Sequence, residues 1–266
     1  YKEYQKSLVR LCDLTSSLDT NSLHLEFMQG ISTKPAHIRN NFDFPREYWE
    51  SVITEMVSQN KSTIIKGVSG QGKSALCYRY LMNHYPEDLV FCVRSISSEQ
   101  QAENLVAALK GIAKHTQNII TYIDVNPGEY QWIYLLQELQ ARGISIPVLI
   151  SIRDEDFNMT PIRNNSVRIE VVEIELTQQE ARQLYNQYTE TLPHPQFRSF
   201  EEAWGAFGET GPLIEFIYLL THNQTLTQRL QSQVDSLLRE KVPDTWLELL
   251  QIVCYSGRMG CPVKAA

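Results

Sequence analysis

The sequence has little of what marks a metal centre, a redox protein or a disulfide scaffold. Its five cysteines are Cys12, Cys77, Cys92, Cys254 and Cys261, and none stands in a C-x-x-C pair. An odd number cannot all pair within one chain, so they read as buried reduced thiols of a cytosolic protein rather than as zinc or redox ligands. The six histidines are scattered with no H-x-x-x-H spacing, which argues against a dedicated metal site. No run is apolar for the length of a membrane span, and no secretory signal is visible. An excess of positive charge is also missing. The 24 Lys and Arg are outnumbered by 31 Asp and Glu, for a net charge of -7. That balance argues against a nucleic-acid-binding surface over the whole domain, though not against a local basic patch. Internal repeats and low-complexity tracts do not stand out.

What remains is the composition of an ordinary globular protein. Over 266 residues, 42% are hydrophobic and 21% charged, enough for a core domain and a smaller second one. The chain begins at Tyr1 rather than methionine and stops at Lys264-Ala265-Ala266, just after an apolar helical pattern. We expect a segment of a longer protein, located in the cytoplasm.

Along the chain, Leu8, Leu11, Leu14 and Leu18 recur at helical spacing, so residues 1–30 are expected to be helical. Together with the following residues to position 36 they read as an arm or a linker from an upstream domain. Residues 31–46 mix Pro, Asn and Asp with aromatics, as a loop does. Glu47 to Ser58 is helical. Then strands and helices alternate. Strand patterns fall at Ser62 to Lys66, Leu89 to Val93, Asn118 to Val125, Ile146 to Ile152 and Val167 to Leu176. Helical patterns fall at Lys73 to Asn83, 99–115 and 130–142, the last stopped by Gly143. Such alternation predicts an α/β fold with a parallel sheet wrapped by helices. After Leu176 the strand pattern ceases. Thr177-Gln178-Gln179-Glu180 is a capping-box signature that opens a helical half. The expected domains are 37–176 (α/β), 177–242 (helical) and 243–266 (a truncated third domain).

The segment between the first strand and its helix carries the most chemistry. Gly67-Val68-Ser69-Gly70-Gln71-Gly72-Lys73-Ser74 fits G-x-x-x-x-G-K-[ST] in full. Glycines let the backbone curl where side chains would collide with phosphates. Backbone N–H groups of the loop and of the helix start, through Ala75, point at the anion. Lys73 supplies a mobile charge for the β and γ phosphates, and Ser74 a hydroxyl ligand for Mg²⁺. The competing reading is a chance glycine-rich turn, which the strand–loop–helix context opposes.

Three more residues enter as candidates. Asp124 ends the apolar run Ile119 to Ile123, where an acid for Mg²⁺ is needed. It also fits the start of a turn before Asn126-Pro127-Gly128. No second acid follows directly, since Val125 is next and Glu129 is the nearest carboxylate. Hydrolysis is therefore less secured than binding. Arg153 ends the strand Val148 to Ile152. Strand carboxyl ends face the ligand crevice in parallel sheets, so Arg153 is placed to sense a γ-phosphate. A surface ion pair with Asp154, Glu155 or Asp156 is the alternative.

The ordered set GVSGQGKSAL (67–76), YIDV (122–125), VLISIR (148–153), IELTQQEARQLY (174–185) and ETGPLIEFIYLL (209–220) resembles the STAND class of signal-transducing P-loop ATPases. It looks most like the bacterial antiviral branch called AVAST, over residues from about 36 to the C-terminus. The resemblance implies a P-loop domain, a helical domain and a winged-helix domain, with Trp246 to Val263 as the opening of the last. It implies that Pro212, after Gly211, contacts the adenine side of the nucleotide. A proline in the first turn of a helix needs no ligand, and both readings of Pro212 can hold. It further implies ATP and Mg²⁺ as cofactors, and a switch from an ADP-like closed state to an ATP-bound homo-oligomer. In such switches a C-terminal sensor meets a foreign protein, here expected from a phage, and an attached effector becomes active. Neither sensor nor effector is recognisable in this sequence, and residues 1–30 read as a stub joining one. The leading expectation is a regulatory ATPase of antiphage defence or signalling, with slow or regulated hydrolysis. An energy-coupled AAA-like remodelling ATPase and a pure nucleotide-binding scaffold are the alternatives, and no membrane role is expected.

Overall fold

The computed structural model of the chain describes residues 7–28, 32–59, 62–160, 167–191, 197–222, 226–239 and 244–258. They form two compact units, the first ending at Glu175 and the second beginning at Leu176.

The strands of the first unit are β1 (Leu8–Arg10), β2 (Ser62–Gly67), β3 (Val90–Val93), β4 (Ile120–Asp124), β5 (Val148–Arg153) and β6 (Ile169–Glu173). They make one sheet in the order β1-β3-β4-β5-β2-β6, parallel throughout except for β1. Its helices are α1 (Thr20–Met28), α2 (Pro35–Arg39), α3 (Glu47–Ser58), α4 (Lys73–His84), α5 (Glu99–Ala113), α6 (Trp132–Ala141) and α7 (Asp154–Met159).

The inner strands β3, β4, β5 and β2 are apolar on both faces because both faces are covered. Ile64, Phe91, Val93, Ile123, Val148, Ile150 and Ile152 pack against α5 and α6. Their alternates Ile65, Val90, Cys92, Ile120, Tyr122, Leu149 and Val172 pack against α3 and α4. The period of two along each strand thus splits one near-continuous apolar run into two cores.

The N-terminal stretch departs from its leucine spacing. Leu8–Arg10 is a strand, antiparallel to β3 with Leu8 opposite Val93, and a 3₁₀ turn at Leu11–Asp13 follows. Helix begins only at Thr20, where the Asp19 carboxylate accepts the Ser22 N–H at 3.0 Å. The physical reason is long-range: the exposed edge of β3 offers Leu8–Arg10 a ladder, and Leu11 becomes fully buried. The stretch expected as a loop also contains a helix, α2. Pro35 starts it, and His37 Nδ1 accepts the Lys34 N–H at 3.1 Å.

Among the described residues of the second unit only helices occur: α8 (Gln178–Thr191), α9 (Phe200–Phe207), α10 (Leu213–His222), α11 (Leu226–Arg239) and α12 (Asp244–Arg258). The capping box at Thr177 is reciprocal. The Glu180 N–H donates to Thr177 Oγ1 at 3.2 Å, and Glu180 Oε2 accepts the Thr177 N–H at 3.1 Å. Phe200, Trp204, Phe207 and Phe216 form its aromatic core, with Trp204 and Phe216 edge to face at 5.8 Å. Trp246 to Arg258 lies in α12, and the rest of the stretch to Val263 falls outside the described residues. Cys254 on α12 is exposed, unlike Cys77 and Cys92, which are buried. No helix is long and apolar enough to cross a membrane among the described residues.

Candidate nucleotide site

The sheet order assembles the site. β5 lies between β2 and β4, so the register places Gly67 opposite Arg153 and Asp124 opposite Ser151 at neighbouring carboxyl ends. These ends are where ligands bind in parallel sheets.

β2 stops at Gly67 because only glycine fits there: a Cβ would sit 2.8 Å from the Ile174 carbonyl oxygen. The chain then turns through Gly70 and Gly72, whose φ values of 79° and 80° are left-handed, and enters α4 at Lys73. Val68 and Ser69 are exposed at the loop tip, while Gln71 is buried. Ala75 packs its partly buried side chain against the core beneath α4. Lys73 Nζ donates to the Val68 carbonyl at 2.8 Å, so the lysine folds back across its own loop. Burial lowers its pKa, opposed by the charges of Asp154, Asp124 and Glu155.

The Ser74 hydroxyl donates to Asp124 Oδ1 at 3.1 Å. Burial raises the Asp124 pKa, opposed by hydrogen bonds from Ser151 and Ser74 and by the charge of Lys73. A lysine and a carboxylate are therefore both pushed towards neutrality, the condition that a charged ligand would relieve. Hydroxyl and carboxylate are hard oxygen donors. Such a pair suits Mg²⁺, which is commonly held by one or two carboxylates together with substrate phosphates.

Arg153 does not point alone into the crevice. Its Nε donates to Asp156 Oδ2 at 2.6 Å, and Asp156 is almost fully buried. The other oxygen of Asp156 accepts the Gly128 N–H at 2.8 Å, which ties the end of β5 to the turn after β4. The hydrogen bond to Asp156 raises the Arg153 pKa. Glu129 is engaged locally, with Oε2 accepting from Asn126 Nδ2 at 3.1 Å. Pro212 lies in the second unit, where its carbonyl accepts the Glu215 N–H at 3.0 Å in the first turn of α10.

Two site residues escape a reading of the sequence. Arg46, at the end of the expected loop, is buried. Its Nη1 donates to the Gln71 carbonyl of the phosphate loop at 2.8 Å and its Nη2 to the Glu175 carbonyl at 2.5 Å. Ser151 hydrogen-bonds Asp124 Oδ1 and lies 2.9 Å from the Tyr122 hydroxyl. The only local signal for Ser151 is a lone hydroxyl in the apolar run Val148 to Ile152.

The parallel sheet, the complete loop between β2 and α4 and the acid on β4 decide the fold class. This is a P-loop NTPase fold. No family model matches the chain, and no curated protein matches it. Similar solved structures include the RuvB Holliday junction branch migration motor of Thermotoga maritima, at 12% identity and a TM-score of 0.44, covering 68% of this chain and 62% of that one. A FIGL-1 AAA domain has 14% identity and a TM-score of 0.44, covering 60% of this chain and 58% of that one. A structure concerned with katanin self-assembly has 13% identity and a TM-score of 0.42, covering 82% of this chain and 73% of that one. The chain thus spans less than two thirds of the first two of these. Likenesses this remote carry no activity or partner with them.

Proposed function

We propose that this chain is the nucleotide-binding core of an ATP-dependent switch of the STAND kind, most like its antiviral AVAST branch. The Ser74–Asp124 contact of 3.1 Å beneath a complete phosphate loop supports the nucleotide- and Mg²⁺-binding part of this proposal, and the STAND part rests on the resemblance of the ordered motifs. In this reading the N–H groups from Val68 to Ala75 hold the phosphates and Lys73 neutralises the β and γ groups. Ser74 and Asp124 hold Mg²⁺, which when bound offsets phosphate charge. Arg153 senses the γ-phosphate by exchanging Asp156 for it, and Pro212 meets the adenine side. The helix from Asp244 opens the winged-helix domain. ATP binding drives homo-oligomer formation after a sensor outside this chain meets a phage protein, and an effector outside it responds.

Slow turnover is part of this reading, and the surroundings of Asp124 support that part of it. Val125 follows it and is buried, and Glu129 is bound to its own turn. Val125 has no group to activate water, and Glu129 would have to leave its bond to Asn126 to do so.

The test is calorimetric titration of Arg153→Ala with ADP and a non-hydrolysable ATP analogue, alongside sedimentation of the wild type with each. A ligand drives a switch only through its differential affinity for two states. The variant is expected to keep its ADP affinity and lose its preference for the triphosphate. An unchanged ratio of the two affinities refutes the sensor role. Steady turnover with no change in assembly state would identify a remodelling ATPase instead.

A further inference from the structure

Ser151 and Tyr122 occupy positions that packing alone does not explain. Ser151 is 1% exposed in the middle of an apolar strand, and Tyr122 is equally buried on β4. Val or Ile would suit position 151 better, and Phe would fill position 122 without a polar atom, since β-branched and aromatic residues pack well in a pleated sheet. Instead the two hydroxyls lie 2.9 Å apart, and that of Ser151 is bonded to Asp124 Oδ1. The polarity follows from counting protons. Ser151 Oγ donates to Asp124 Oδ1 and a hydroxyl has a single hydrogen, so in the bond between the two hydroxyls Tyr122 donates to Ser151. Tyr122 is itself fixed by an edge-to-face contact with Tyr78 of α4, at 5.0 Å between ring centres.

Resting on the reading of Asp124 and Ser74 as the Mg²⁺ pair, we propose that Ser151, aimed by Tyr122, is a positioning residue for that pair. Ser74 and Ser151 both donate to Oδ1, from α4 and from β5. Two donors from different elements fix the rotation of the carboxylate about its Cβ–Cγ bond. Asp124 therefore meets the metal already oriented, and Ser74, having given its hydrogen to Asp124, keeps its lone pairs for the cation. A partner of this kind commonly contributes about tenfold to a hundredfold in metal affinity.

The experiment measures ATP affinity by calorimetry with Mg²⁺ and again with EDTA, for wild type, S151A, Y122F and the double variant. The wild type is expected to bind more tightly with Mg²⁺. S151A is expected to lose about tenfold to a hundredfold of that gain while its EDTA affinity stays constant. Y122F is expected to lose a smaller part, and the double variant to match S151A, because Tyr122 acts only through Ser151. If S151A keeps the wild-type gain, or loses affinity equally in EDTA, Ser151 does not position the metal pair. Additive losses in the double variant overturn the relay from Tyr122. A wild type with no Mg²⁺ gain at all overturns the metal reading of Asp124 itself, and this inference with it.

Discussion

Arg46 gives the most demanding test of how the phosphate loop is held. It is 3% exposed, its guanidinium carbon lies 5.8 Å from the centre of the Trp49 ring, and its two terminal nitrogens reach two backbone carbonyls. One carbonyl belongs to Gln71 in the loop and the other to Glu175, the last residue of the first unit. A hydrogen bond from a charged donor contributes about 1.5–3 kcal/mol, and truncation leaves each buried acceptor without that donor. Against this, the variant no longer buries a cation, which returns part of the cost. Arg46→Ala should therefore lose about 2–4 kcal/mol of folding stability. Arg46→Lys keeps the charge but not the fork, so it satisfies one carbonyl and should lose roughly half as much. Urea unfolding with and without saturating ATP measures both consequences. The nucleotide should stabilise the Ala variant less than the wild type, because a loop that must be ordered on binding costs affinity. If Arg46→Ala loses less than about 1 kcal/mol and is stabilised equally by ATP, the guanidinium is not what holds the loop.

Lys73→Ala should weaken ATP binding by roughly tenfold to a hundredfold or more, with the fold retained, as read by nucleotide titration and circular dichroism; undiminished affinity would remove the lysine from the site. Asp124→Asn keeps the shape and removes the charge, so Mg²⁺-supported binding should fall while binding in EDTA changes little; equal Mg²⁺ dependence would leave Asp124 a turn residue. His37 gives a pH signature. It is fully buried, with Nε2 3.6 Å from Glu26, and burial lowers its pKa below the usual value while Glu26 opposes the shift. Its contribution to stability is therefore present above about pH 6.5 and is lost as pH falls through the lowered folded value, because the unfolded chain takes up the proton first. Thermal melts between about pH 5 and 8 should show this slope, and His37→Asn should flatten it; an unchanged slope in the variant would assign the pH dependence elsewhere.

What could be read from the sequence was whatever is encoded locally. The phosphate loop is eight consecutive residues, and its positive-φ glycines and following helix appear where the spacing puts them. The alternation of strands and helices and the capping box at Thr177 are local in the same sense. The misreadings are long-range. Leucine spacing predicts a helix over Leu8 and Leu11, yet the unpaired edge of β3, some eighty positions away, offers a ladder that outweighs a weak helical preference. Arg46 looks like a linker residue until Glu175, 129 positions on, is brought to it. Ser151 acquires meaning only when the sheet order sets it opposite Asp124.

The same distinction explains how the site is built. The atoms expected to touch phosphate come from one short stretch, 67–75, whose geometry is dictated by glycine backbone freedom. The atoms that hold that stretch come from four separate places: Arg46 before α3, Asp124 on β4, Ser151 on β5 and Ile174 after β6. Each supports the loop or its acid through a single contact type: a forked cation on carbonyls, a hydroxyl on a carboxylate, or a backbone oxygen against glycine. A rigid sheet is what brings the four together, because register fixes which residues share a strand end. Arg153 has a different place in this scheme. It sits on the same strand ends but is held by Asp156, which also holds Gly128 in the turn after β4. Moving Arg153 therefore releases one of two bonds to a nearly buried carboxylate and leaves the turn less tightly fixed. A γ-phosphate that draws Arg153 away would change the loop after β4 as well as the arginine. On the proposed reading of Arg153, the element a bound nucleotide would act on is that two-ended connection through Asp156 rather than the arginine alone.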